Sequence, residues 1–285
     1  MNSKKPKLKQ NIDLGQLTTL GIGGKAKYFF LVRDGFELSK LLKKVGSQFY
    51  ILGNGSNLLI EDKLIKKPVI KLTDNFGLVK QKGDFLEVGS STLLSFLIKY
   101  CISNNLGGIE NLAGIPATVG GMLSSAASSF GASIFDCLKE VEVMDKKGNL
   151  YRIEKNEINY SYRYSSLEDK VIVKGYFKFP ESSQEIKPKI QNIIKKRIDL
   201  QDFSYPSCGS VFKNPASVAA GALIEQAGLK GKRKGDVKIS DKHANFILNL
   251  GKASYNQADY LIKQIKETIY QREGIVLEEE VKRWN

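Results

Sequence analysis

A mixed α+β fold in more than one packed part is what this 285-residue chain predicts, on three observations. Its strands come as hairpins and short runs mingled with helices, without the regular strand–helix alternation of a doubly wound sheet. A polar connector from Glu181 to Asp202 changes the character of the chain and marks the main boundary. The length exceeds what one hydrophobic core usually serves, so two or three subdomains are expected. No internal repeat is visible.

From the N-terminus, AKYFFLV reads as a strand, and DGFELSKLLKKVG as a helix with Asp34 at its cap and Gly46 at its end. QFYILG is a second strand that runs directly into NGSNLLI. FGLVKQKGDFLEVG forms a hairpin turning at Lys82-Gly83, and SSTLLSFLIKYCISNN a Ser-capped helix with apolar residues at helical spacing. KEVEVMDKKGNLYRI is a further hairpin around Lys147-Gly148, and KVIVKGYFKF a strand. The connector becomes an amphipathic helix with Pro188 near its start, where the ring is tolerated. Beyond it lie the loop SYPSCGSVFKNP, the helix SVAAGALIEQAG, the basic loop LKGKRKGDVKIS and the strand HANFILNL. A long helix from Ser254 to Glu273 and a closing strand, GIVLEEEVK, complete the chain.

Between the two hairpins, Asn111 to Phe135 contains no Asp, Glu, Lys or Arg. A packed core would prefer larger side chains and a solvated loop would carry charge. Gly, Ala, Ser and Thr in such a run suit close backbone approach, either to a ligand or to neighbouring chain. GNGSNLLI follows a strand directly, and its two glycines can turn successive N–H groups inward as a nest for phosphate. No Gly-Lys-Ser/Thr follows, so it is not a P-loop, and Ser-Asn after GxG departs from the dinucleotide fingerprint. Gly21, Gly23 and Gly24 in TTLGIGG form another glycine cluster, so three loops in the first half are candidates to present backbone donors to an extended diphosphate ligand. NYSYRYS, read as a strand, places Ser161, Arg163 and Ser165 on one face and the tyrosines on the other. Arg163 there suits a carboxylate or phosphate through its planar fork.

Charge and composition narrow the class. Against 30 Asp and Glu stand 44 Lys and Arg, a net charge of +14. Such a balance admits anionic partners, yet no basic block interleaved with aromatics exists, so no nucleic-acid partner is expected. Cys101, Cys137 and Cys208 form no CxxC pair and leave an odd count; with His243 as the only histidine, neither a disulfide framework nor a zinc site is expected. The basic N-terminal segment lacks the apolar run of a signal peptide, and no membrane span is expected, so the chain is placed in the cytoplasm.

Taken in order, TTLGIGG, ILGNGSNLLI, IENLAGIPATVGG, SYRYS, PSCGSVFKNP, AGALIEQAGLKG, KHANFILN and LEEEVK resemble the UDP-N-acetylenolpyruvoylglucosamine reductase family over nearly the whole chain. The brief segment from SYRYS to PSCGS and the early end after LEEEVK resemble the shorter of its two subtypes. The resemblance implies a two-part FAD-binding domain of the vanillyl-alcohol-oxidase (PCMH) type, at residues 1–75 and 76–184, followed by an α+β substrate-binding domain at 185–285. It further implies noncovalent FAD, NADPH as reductant and a UDP-sugar substrate, in peptidoglycan precursor synthesis and thus in cell-wall biogenesis, cell shape and division. Gly53, Asn54, Gly55, Ser56 and Asn57, with Gly114, Ile115, Pro116, Ala117, Thr118, Gly120 and Gly121, would line the flavin and its diphosphate. Arg163, Ser210 and Glu280 match the family's catalytic positions, and Lys213, Asn214, Lys230 and His243 would contact the substrate. Where the family often has Pro, this chain has Glu279; Glu278 shares the strand face of Glu280 and stays an alternative to it.

Overall fold

The computed structural model describes residues 5–216 and 218–285, which pack as two compact units. The first takes in the described residues up to Gln10, Tyr28–Asn54 and Lys67–Lys196; the second holds Asn11–Lys27, Gly55–Lys66 and Arg197–Asn285.

Two sheets build the first unit. One has the order Lys7–Lys9, Phe29–Val32, Val69–Leu72, Tyr50–Ile51, antiparallel at its first pair and parallel at the other two. Helix α1 (Gly35–Val45) joins it, capped by the Asp34 carboxylate, which accepts from the Glu37 N–H, and closed at Gly46. The other sheet is antiparallel throughout, in the order Leu150–Glu154, Leu138–Met144, Val171–Phe177, Phe85–Gly89, Val79–Lys82. Its apolar face packs with α2 (Leu94–Ser103), α3 (Val119–Ser125) and α4 (Ile186–Leu200), burying Leu97, Ile98, Met122, Leu123, Ile190 and Ile193 among others. Both hairpins turn where the sequence places them.

The second unit centres on an antiparallel sheet in the order Ser207–Ser210, Phe246–Asn249, Val237–Ile239, Arg233–Lys234, covered by α5 (Ala220–Gln226) and α6 (Tyr255–Glu273). The Ser254 hydroxyl caps α6 and Gln257 completes the capping box. Two stretches distant in sequence enter this core. Leu20, Ile22 and Leu59 are buried with Leu223, Ile224, Leu261 and Ile265, each contributing about 2 kcal/mol by burial. Leu58–Ile60 pairs in parallel with Lys282–Trp284. This recruitment makes the unit discontinuous, so its limits differ from the expected blocks 1–75, 76–184 and 185–285.

Three local readings change. AKYFFLV is not one strand: Lys25–Ala26 pairs with Ile12–Asp13 in the second unit, and Phe29–Val32 enters the first. GIVLEEEVK is largely irregular, with one bridge at Glu279, and the regular strand is Lys282–Trp284. Val276 stands 70% exposed there, with no partner strand among the described residues to reward alternation. Helix α2 begins after Leu93 with no side-chain cap, not at a serine. The helix start expected at Ser217 lies outside the described residues; α5 begins at Ala220.

Candidate active site

The glycine loops separate by where their amides go. In TTLGIGG, Gly21 N–H donates to the Thr18 carbonyl (3.3 Å) and hydroxyl (3.2 Å), and Gly24 N–H to the Glu61 carbonyl (2.8 Å). A Cβ on Gly24 would run into the Lys63 carbonyl oxygen. That cluster includes a packed chain crossing, and two of its three glycine N–H groups already have acceptors, so it offers fewer donors than expected. The loop Gly53-Asn54-Gly55-Ser56-Asn57 is different: among the described residues, none of its five main-chain N–H groups meets an acceptor. Successive unsatisfied amides in a turn form an anion nest. Gly55 is required at this turn, because its φ is +68° and a Cβ would strike the Leu17 carbonyl oxygen.

A cation that sequence reading missed supports the same loop. Lys71, in the strand Val69–Leu72, donates from Nζ to the Gly53 carbonyl (2.9 Å). Burial pushes its ammonium below the usual lysine range. A lone lysine inside the apolar run PVIKL was the available signal.

The neutral stretch is now legible. Asn54 Nδ2 donates to the Pro116 carbonyl (2.8 Å), tying the turn to IPATVGG. Thr118 caps α3 by accepting from Gly121 N–H (3.2 Å), and a Cβ on Gly53 would lie 2.9 Å from the Thr118 hydroxyl oxygen. Gly120 packs so closely that a Cβ would come within 2.8 Å of Ser90 Cβ. The amides of Ile115, Ala117, Val119, Gly120 and Gly121 already have protein acceptors, so close packing accounts for much of this composition. What remains is a set of hydroxyls. Ser90 Oγ and Thr92 Oγ1 are buried without a hydrogen-bond partner among the described residues, on chain whose carbonyls accept from Gly120 and Val119. Buried hydroxyls seldom stay unsatisfied, and a polar ligand that takes them up fits this wall. FAD, rich in acceptors and donors along its length, is such a ligand.

Arg163 is not on a strand face. Tyr160–Ser161 and Tyr164–Ser165 pair antiparallel as a tight hairpin whose turn is Tyr162-Arg163. Arg163 adopts φ +57°, a left-handed backbone that costs a non-glycine residue about 1 kcal/mol. Alternation fails because the chain reverses there. The guanidinium donates from one Nη to the carbonyl (3.3 Å) and hydroxyl (3.2 Å) of Ser128 and lies over the Tyr162 ring. Tyr160 stacks on Phe135 with centroids 4.2 Å apart, seating the hairpin on the end of the neutral stretch.

In the second unit the chain after Ser210 runs antiparallel beside the three glutamates, joined by one bridge and flanking backbone hydrogen bonds. Glu280 N–H donates to the Val211 carbonyl (2.8 Å), Phe212 bridges Glu279, and Lys213 N–H donates to the Glu278 carbonyl (2.9 Å). Ser210 and Glu280 therefore sit one residue out of register on neighbouring chains. The carboxylates divide by surroundings. Glu278 is 72% exposed and accepts from Lys213 Nζ (3.1 Å); Glu279, 19% exposed, accepts from Arg283 Nε (2.6 Å). Glu278 is turned to solvent, leaving Glu280 as the glutamate nearest Ser210 in register.

The remaining expected ligand contacts are also in this unit. Asn214 Oδ1 accepts from Ala220 N–H (3.0 Å) at the start of α5. Lys230 Nζ pairs with Glu225 (2.6 Å). His243 is held by its N–H on Ser240 Oγ (3.0 Å) and packs on Phe246; its buried Nδ1 has no partner among the described residues. Burial, aided by nearby Lys230, lowers its pKa below 6.5, so the ring is neutral at pH 7. The unfolded chain then takes up a proton near pH 6.5 that the folded chain refuses, and stability falls as pH drops below that value. Chemical denaturation between pH 7 and pH 5 should show this fall in the parent and a shallower one in His243→Gln; equal slopes would refute it.

All three cysteines are unbridged and buried; burial pushes the Cys208 thiol up to about 12, in keeping with a packed rather than reactive residue. Among the described residues no cluster of three His, Cys, Asp or Glu could hold a metal ion, and no helix is long and apolar enough to cross a membrane.

Arg163 and the hydroxyl-lined wall belong to the first unit, and Ser210, Glu280, Lys230 and His243 to the second. Two family models match these portions: an FAD binding domain over residues 29–154, and the UDP-N-acetylenolpyruvoylglucosamine reductase C-terminal domain over 201–284. An FAD binding domain joined to an α+β C-terminal domain makes the chain an FAD-dependent oxidoreductase. UDP-N-acetylenolpyruvoylglucosamine reductase of Aquifex aeolicus is 39% identical over 280 residues, covering 96% of this chain and 94% of that one. The enzyme of that name from Rickettsia typhi is 34% identical over 98% of this chain and 96% of its own. The crystal structure of UDP-N-acetylenolpyruvylglucosamine reductase from Thermus caldophilus superposes with a TM-score of 0.87, at 33% identity, covering 98% of this chain and all of that one. The chain belongs to the UDP-N-acetylenolpyruvoylglucosamine reductase family.

Proposed function

We infer that this chain uses NADPH and noncovalently held FAD to reduce the enolpyruvyl group of UDP-N-acetylglucosamine enolpyruvate, giving UDP-N-acetylmuramate for peptidoglycan. The observation that carries the reading is the pairing of Glu280 with Val211, the residue after Ser210, in a chain 39% identical to a reductase of this name. Use of NADPH and a UDP-sugar sites the reaction in the cytoplasm and ties it to cell-wall growth, shape and division.

The amides of 53–57, the Ser90 and Thr92 hydroxyls and the wall Gly114–Gly121 would hold FAD, with Lys71 steadying the Gly53 carbonyl. When bound, FAD supplies the hydride for the terminal enolpyruvyl carbon and regains it from NADPH. Addition of hydride leaves negative charge on the adjacent carbon, delocalised into the substrate carboxylate. Arg163 binds that carboxylate through its permanently charged fork. Ser210 donates its hydroxyl proton to the carbon, and Glu280 orients or protonates the enolic oxygens. Lys230 reaches the diphosphate of the nucleotide, while Lys213, Asn214 and neutral His243 hold the sugar portion.

An absorbance spectrum tests the reading: the purified protein should be yellow, bleach with NADPH and recover colour with the enolpyruvyl substrate. A colourless protein that cannot take up FAD would refute it. Recovery with oxygen as fast as with the substrate would favour an oxidase of another small molecule.

A further inference from the structure

Asn57 carries more than its place in the glycine loop suggests. Its side chain is turned from its own loop toward the chain terminus, where Nδ2 donates to the Glu280 carbonyl (3.1 Å). Its carbonyl accepts from the Lys282 N–H (3.0 Å), and the next three residues, Leu58–Ile60, pair in parallel with Lys282–Trp284. The opposite side of the Glu280 peptide is held as well: its N–H donates to the Val211 carbonyl (2.8 Å), which Val281 N–H also approaches (3.3 Å). Glu280 thus lies in irregular chain between two fixed points, one on Val211, just past the strand Ser207–Ser210, and one on Asn57. All of these contacts fall within the second unit.

We propose that Asn57 is a positioning residue for Glu280, setting the carboxyl-bearing segment against Ser210, and that its carboxamide is not a diphosphate donor. This rests on the role of Glu280 given above. The chemistry requires an amide: a donor must reach the Glu280 carbonyl, and a carboxylate at position 57 would repel that oxygen. Arg283 braces the same segment from the other side, bonding to Glu279 (2.6 Å), Asp259 (2.6 Å) and the Tyr255 hydroxyl (2.8 Å). Removing the Asn57 contact therefore loosens Glu280 without releasing the chain end.

The test uses the full-length holoprotein and Asn57→Ala, with Asn57→Ser as a second variant should the alanine protein fail to fold. Hydrogen exchange is the readout independent of activity. Amides of 278–282 should exchange roughly fivefold faster, as loss of one hydrogen bond allows, while those of 113–121 stay at parental rates. Because alanine and serine keep the main-chain N–H of position 57, FAD content and the rate of flavin bleaching by NADPH should match the parent's. Reoxidation by the enolpyruvyl substrate should slow roughly tenfold, and combination with Glu280→Gln should add no further slowing, since the two residues act as one unit. Unchanged exchange at 278–282, FAD loss from Asn57→Ala, or full additivity with Glu280→Gln would overturn the proposal. Parental reoxidation in Glu280→Gln itself would instead defeat the role given to Glu280, whatever the exchange data show for Asn57.

Discussion

Ser210→Ala should bleach with NADPH as the parent does yet recover colour about 10²–10⁴-fold more slowly when the enolpyruvyl substrate is added, the usual worth of a positioned proton donor. The alanine removes one oxygen from a strand whose pairing, Ser210 with Phe246, is made by the backbone, so the fold should be unaffected. An unperturbed serine is a poor acid. Proton transfer from it depends on the strongly basic carbanion that hydride addition creates and on positive charge close by. The Lys213 ammonium already pairs with Glu278, so its help to Ser210 is shared with that carboxylate. Stopped-flow measurement of the two half-reactions decides the matter. Equal losses in bleaching and recovery would give Ser210 a different task.

Arg163→Lys is expected to slow recovery about 10²–10³-fold, the effect of removing one aimed donor from a developing oxyanion. The reasoning comes from the hairpin. The left-handed backbone at position 163 strains lysine as much as arginine, so the melting temperature should stay near the parent's. What changes is the head group: an ammonium cannot use one nitrogen on Ser128 and still offer a planar pair to a carboxylate. Turnover should fall while FAD content remains. A variant recovering at the parental rate would show that charge alone suffices; one that melts far lower would assign Arg163 to the hairpin's stability instead.

Much of this was legible in the residues. Asp34 and Gly46 bound α1, Ser254 starts α6, and glycines 83 and 148 mark the turns of both hairpins, because caps and turns are decided by neighbours in the chain. The ordered motifs carried the family and, with it, the cofactor. Reading failed where a second segment had to arrive. TTLGIGG and GNGSN look alike as strings of glycine, yet Gly21 and Gly24 find acceptors at Thr18 and Glu61, while the amides of 53–57 find none among the described residues. Lys71 draws no notice in the sequence; its role shows only where its strand brings Nζ to the Gly53 carbonyl. NYSYRYS alternates as a strand should, but pairing of Tyr160 with Ser165 folds it back on itself.

The sequence by itself determined the α+β class and the local turns and caps, since each depends on short-range chemistry, and its ordered motifs carried the resemblance to a flavin reductase family. Tertiary structure alone decided which glycine loop keeps its amides open, that Glu280 pairs with Val211 and Glu278 with Lys213, and that residues 11–27 and 55–66 belong to the second unit. The reason is the same in every case. A donor's partner and an apolar side chain's burial are settled by whichever distant segment reaches it first, and no spacing along the chain records that meeting.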